Sequence, residues 1–245
     1  MIGDSQALDA SLGRLRALAP EGVDVECLLR EFMAAVELLF GLSGAGVMLV
    51  DDEHVLRSVV TTDERGAALE AAQQEAGTGP CLEGFVYDRA VPTSDIHRDE
   101  RFKAVSDLLA PSQSLSEGAR GSGGVCAVLG VPIRLGGGPV GVLNVYVDEP
   151  HEWTDGEIHG LSAYADLLGT LLGTAMAAHR NDALARQLQY ALDHRVVIER
   201  AVGYLMGAGG LGATDAFEKL RLAARCSRRK VGDVAAALLD HGTLD

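Results

Sequence analysis

VCAVLGVPIRLGGGPVGVLNVYVDEPHEWTDGE, residues 125–157, decides the fold. Two apolar, β-branched runs, 125–135 and 139–147, flank Gly136-Gly137-Gly138. Glycine reaches positive φ without strain, so the triplet predicts a tight turn and the runs an antiparallel pair of strands. Beyond the second run, Thr154 and Glu157 match S/T-x-x-E, the capping-box pattern, which predicts that a long helix starts there.

Working upstream, AGVMLV (45–50) and HVLRSVVTT (54–62) are separated by Asp51-Asp52-Glu53 and read as a second hairpin. VPTSDI (91–96) is a short extended segment. Residues 64–88 are partly helical, interrupted at Gly77-Thr78-Gly79-Pro80, and 97–124 are irregular or partly helical. Val25, Leu28, Leu29, Phe32, Val36, Leu39 and Phe40 form one apolar stripe over 24–41, with Gly41 placed as a C-terminal cap. Leu8, Leu12, Leu15 and Ala19 predict a short amphipathic helix before Pro20.

Downstream, Leu161, Leu168 and Ala175 recur every seven residues, with Tyr164, Leu171 and Ala178 between them. A second series, Leu184, Leu188, Ala191, Arg195, Ile198, Val202 and Leu205, follows out of phase after Arg180-Asn181-Asp182. The spacing suits either a dimer-forming, coiled-coil-like helix with a discontinuity or two amphipathic helices packing in separate domains. Helices are expected again over Ala213–Arg225 and Lys230–Leu239. The whole predicts an α+β fold: an antiparallel sheet with flanking helices, a long connecting helix, and a three-helix module. The expected divisions are an N-terminal helix (1–19), a sensor-sized domain (20–180) and a helical domain (181–245).

Charge separates the two ends. Residues 190–245 hold 8 Lys+Arg against 7 Asp+Glu, whereas the chain as a whole carries −14. KLRLAARCSRRK (219–230) collects Lys219, Arg221, Arg225, Arg228, Arg229 and Lys230 with no acidic residue. A basic end on an acidic protein suits a polyanion, although the same run is also an ordinary solvated helix face. Cys27, Cys81, Cys126 and Cys226 lack metal-ligand spacing, and the histidines form no close pair. No signal peptide or membrane-length apolar run is present, so a cytosolic protein with reduced thiols is expected. The Gly77–Gly84 cluster lacks the lysine and Ser/Thr of a P-loop, which excludes a nucleotide hydrolase of that type. The residues imply no particular cofactor.

GTGPCLEG (77–84), VPTSDI, and the strand–turn–strand with its capped helix together resemble a GAF domain of the actinobacterial type over about 20–180. RVVIERAVGYLMGAGGLGATDAFEKLRLAARCSRRKVGDVAAALL (195–239) resembles an ANTAR domain, a three-helix RNA-binding module of antitermination regulators. The resemblance implies a non-enzymatic, signal-responsive regulator that binds paired RNA stem-loops as a homodimer. Its sensor half would receive a small molecule, a redox signal or a partner. It implies an RNA surface drawn from Arg195, Ala201, Gly203, Arg221, Arg225, Arg228, Arg229 and Lys230. Taken from the residues alone, Arg195 is either an interhelical contact or a ligand group, and Ala201 and Gly203 serve either helix packing or close approach of RNA.

The chain departs from the family at Val202, where lysine is usual, at Ala224, often serine, and at Arg228, often asparagine. These changes either retune RNA recognition or end it. Two alternatives stay open. One is a GAF sensor whose C-terminal helices bind protein. The other is a cysteine-dependent GAF-fold methionine sulfoxide reductase, to which Cys81 and Cys126 would contribute if they are not simply small buried residues.

Overall fold

A computed structural model describes residues 25–109, 124–178 and 183–244. The helix expected over 8–19 and the break at 180–182 lie outside the described residues. The chain divides into two compact units. The first is Met1–Leu49 with Leu56–Asp182; the second is Val50–Val55 with Ala183–Asp245.

The first unit begins with α1 (Val25–Phe40), then β1 (Gly44–Val50), β2 (Leu56–Thr61), α2 (Glu64–Ala76), α3 (Pro80–Val86) and β3 (Val91–Thr93). A 3-10 turn (Glu100–Phe102), α4 (Lys103–Leu109), β4 (Ala127–Leu135), β5 (Gly138–Val147) and α5 (Asp155–Ala178) complete it. The five strands form one sheet in the order β2-β1-β5-β4-β3, and β5 pairs antiparallel with both β1 and β4. The β4–β5 turn takes positive φ at Gly136 (+62°) and Gly137 (+85°), as the glycine run predicts. The capping box forms reciprocally. Glu157 Oε2 accepts the Thr154 N–H at 2.8 Å, and Thr154 Oγ1 accepts the Glu157 N–H at 3.2 Å.

α5 packs on β4 and α1. Leu161, Tyr164, Leu168, Leu171 and Leu172 are buried within the single chain, and the Tyr164 ring meets Phe32 and Phe40, each at 5.6 Å. The seven-residue repeat over 161–171 is therefore the stripe by which α5 covers its own domain rather than a seam between two copies. At Gly169 the helix backbone lies against the Arg134 carbonyl of β4, leaving no room for a Cβ.

The sheet face under α2 and α3 has an unusual centre. Asn144 on β5 stands opposite Gly46 on β1 and Gly130 on β4. The missing side chains are replaced by neighbours: the Glu70 carboxylate of α2 lies over Gly46, and the backbone of Pro80 and Cys81 lies over Gly130. Asn144 Nδ2 donates to Glu70 Oε1 at 2.9 Å, and the Cys81 N–H donates to Gln73 Oε1 at 2.9 Å. Glu70, Gln73, Asn144 and Cys81 are all at most 2% exposed. Segments of α3, β4 and β5 thus meet directly here, with protein side chains between them.

In the second unit, α6 (Ala183–Gly209), α7 (Ala213–Ser227) and α8 (Val231–His241) enclose their own core. Ile198, Ala201 and Leu205 of α6 meet Ala216, Leu220 and Ala224 of α7 and Val231, Val234, Ala235 and Leu238 of α8. Residues 50–55 complete this unit. Asp51 is 5% exposed and shapes the segment: its Oδ1 accepts the N–H groups of Glu53 (2.9 Å) and Val55 (2.8 Å).

Candidate nucleic-acid interface

Positive charge concentrates where α7 ends and α8 begins. α7 stops at Arg228, which takes the left-handed conformation (φ +51°, ψ 38°), and the Arg229 N–H closes back on the Ala224 carbonyl at 3.0 Å. Lys230 caps α8 from extended backbone. This turn gathers Arg221, Arg225, Arg228, Arg229 and Lys230 around one open cleft of about 380 Å³, floored by Ala224 and Val231. Five of the eight residues expected at an RNA surface are therefore brought together.

Their availability differs. Arg225 and Arg228 project into solvent. Arg229 is exposed, with Nη2 donating to the Asp233 carbonyl at 3.1 Å. Arg221 is held more tightly. Its side chain is only 15% exposed, it pairs with Glu218, and it lies 5.9 Å from the Phe217 ring centroid. Its Nε is out of solvent, with no acceptor among the described residues. Lys230 Nζ stands 3.3 Å from Asp52 Oδ2 and 4.1 Å from the Tyr190 ring centroid, a paired and cation–π-bound ammonium.

The other three expected residues lie outside the cleft lining. Arg195 pairs with Glu199 at 3.1 Å on its own helix. Gly203 is exposed, and an added Cβ there meets nothing within 4 Å. Ala201 is fully buried between the three helices, so its small size serves packing and it presents no surface to RNA.

The departures from the family acquire physical content here. Ala224 is 6% exposed and involves no charge, whereas Val202 is half-buried against the core, a position from which a lysine's ammonium reaches solvent, so the valine gives up one cation there. Arg228 occupies a left-handed position, which an asparagine tolerates better than most residues. The arginine therefore gives up about 1 kcal/mol of backbone preference and adds a cation to the cleft.

The sequence offered no hint that Asp52 and Glu53 line the same cleft. Beside them, His54 packs its ring on Phe217 at 6.0 Å between centroids. Burial and the Arg195 charge push its imidazole down to about 4 against the opposing pull of Asp51, so it is neutral near pH 7.

Neither Cys81 nor Cys126 is poised as a thiolate. Cys81 is fully buried and burial drives its thiol well above the ordinary value; burial and Asp95 raise Cys126 as well. Among the described residues, no group of three or more His, Cys, Asp or Glu is placed to hold a metal. Nor, among them, is any helix long and apolar enough to cross a membrane.

The family model for the GAF domain matches residues 24–172, and that for the ANTAR domain matches residues 186–239. No curated protein matches the chain significantly. Among solved structures, the GAF domain of a phosphoenolpyruvate-protein phosphotransferase from Coxiella burnetii is similar at 16% identity and a TM-score of 0.54. That match covers 73% of this chain and 99% of that one. Its counterpart from Acinetobacter matches at 14% identity and 0.51, covering 73% and 96%. The free methionine-R-sulfoxide reductase of Neisseria meningitidis, solved with its substrate, matches at 16% identity and 0.51, also covering 73% and 96%. At these identities the likeness is one of fold.

Proposed function

Because the chain belongs to the GAF domain family and carries an ANTAR domain toward its C-terminal end, we propose that it is a signal-responsive RNA-binding regulator of transcription antitermination. In this reading the GAF domain receives the signal and the cleft at the α7–α8 turn grips the phosphates of paired RNA stem-loops. The protein works in the cytoplasm as a homodimer, so that two modules engage two stem-loops and gain avidity. The observation that carries the reading is the convergence of five cations on one cleft of an otherwise acidic protein. Raised thiol pKa values at Cys81 and Cys126 weigh against the reductase alternative, since thiolates are the reactive species.

The test is fluorescence anisotropy of the full chain with a labelled RNA of two consecutive hairpins, read from low to moderate salt. Affinity should fall steeply with salt. The triple change Arg225→Ala, Arg228→Ala and Arg229→Ala should weaken binding and flatten the slope by about one unit for each phosphate no longer neutralised, with helix content unchanged. Absence of salt-sensitive binding by the parent would refute it. A protein-binding C-terminal unit would then be favoured by its exposed Val196, Tyr204, Met206 and Leu222.

A further inference from the structure

Asp52 and Glu53 are carboxylates placed in a cleft of arginines and lysine. Carboxylate and phosphate are recognised by the same cations, through the same charge-assisted hydrogen bonds. The segment that presents them is shaped for the task. Asp51 folds it by accepting two backbone N–H groups, and His54 adopts an uncommon positive φ (60°) with its ring against Phe217. Asp52 then meets Lys230 at 3.3 Å, and Glu53 reaches the same cleft.

We infer that the 50–55 segment is an autoinhibitory latch: its Asp52 and Glu53 carboxylates occupy the phosphate-binding positions of the cleft, and RNA binds only as they leave. The inference rests on the RNA-binding reading of that cleft and adds its regulation. The latch is weak by construction. Lys230 and Asp52 side chains are 51% and 44% exposed, and a pair that open contributes a factor of about two to five. That suffices to tax RNA affinity in proportion to the closed fraction, yet several RNA phosphates together displace it. Residues 50–55 run at either end into β1 and β2.

The test uses the full chain as three proteins: the parent, Asp52→Asn with Glu53→Gln, and Glu64→Gln with Glu75→Gln. The last makes the same charge change on exposed residues of α2. Asp51 is left intact because it holds the turn, and equal melting temperatures verify folding. Each is titrated with the labelled two-hairpin RNA and, separately, with sodium polyphosphate. The latch predicts that Asp52→Asn/Glu53→Gln binds RNA about three- to tenfold more tightly than the parent, while the α2 control stays near the parent. Equal binding by all three overturns the latch and leaves the RNA reading standing, as does equal tightening in both variants. If none binds RNA, the RNA reading falls. The polyphosphate arm then decides the latch: tighter binding only in Asp52→Asn/Glu53→Gln supports it, and no difference overturns it.

Discussion

Replacing Glu70 by glutamine should make the first unit more stable at pH 8 and leave it nearly unchanged at pH 5. Glu70 is 1% exposed beneath α2 and takes a hydrogen bond from Asn144 on Oε1. Burial pushes its carboxyl from 4.5 up to about 7, against the pull of Ser58 and Asn144. Below pH 4.5 both folded and unfolded chains hold the proton. Between 4.5 and about 7 the unfolded chain releases it while the folded chain keeps it, so stability falls as pH rises. Above about 7 the buried carboxylate is ionised and the loss is complete. The displacement from 4.5 to about 7 corresponds to about 3 kcal/mol. Glutamine still accepts from Asn144 through Oε1 and never ionises, so it removes this dependence. Urea unfolding followed through Trp153, the sole tryptophan, reports on this unit, where the indole N–H bonds the Thr93 carbonyl. The difference between variant and parent should grow by about 2.5 kcal/mol from pH 5 to pH 8, since a small part of the loss is already present at pH 5. A constant difference across that range would show that Glu70 titrates as an ordinary surface carboxylate and refute the reasoning.

Leu168→Asp should unfold the first unit rather than yield a folded monomer, losing about 3–5 kcal/mol as an unpaired charge enters the core; circular dichroism together with size-exclusion chromatography separates the two outcomes. Arg228→Gly should stabilise the C-terminal helices by up to about 1 kcal/mol by relieving the left-handed backbone, while weakening RNA binding, as read by thermal melting and anisotropy on the same sample.

The strands of this fold were legible because turn chemistry and β-branched runs are local signals. Gly136 and Gly137 marked β4–β5, and Thr154 with Glu157 marked the start of α5. The face of α5 stayed open because a seven-residue repeat describes an apolar stripe equally well against a sheet or against a second helix. Only the three-dimensional contacts with Phe32 and Arg134 tell which. Burial of the Glu70 carboxylate was not legible, because it lies over Gly46, far off in sequence. The basic cluster at 219–230 announced itself by charge alone. Its acidic occupants did not, since nothing local ties residues 52–53 to residues 221–230. Ala201 stayed open because smallness reads alike for a ligand surface and for helix packing.

The contact at Gly169 gives α5 the mechanical character of a keyed shaft. Turning the helix by one residue about its axis would bring Leu168 or Thr170 to the spot where the Arg134 carbonyl admits only a hydrogen atom. Rotation is thereby forbidden while α5 stays seated on the sheet. Displacements of β4 must pass into this helix as tilt or axial travel at constant angular phase, so the orientation of its far end is fixed by a single absent methyl group.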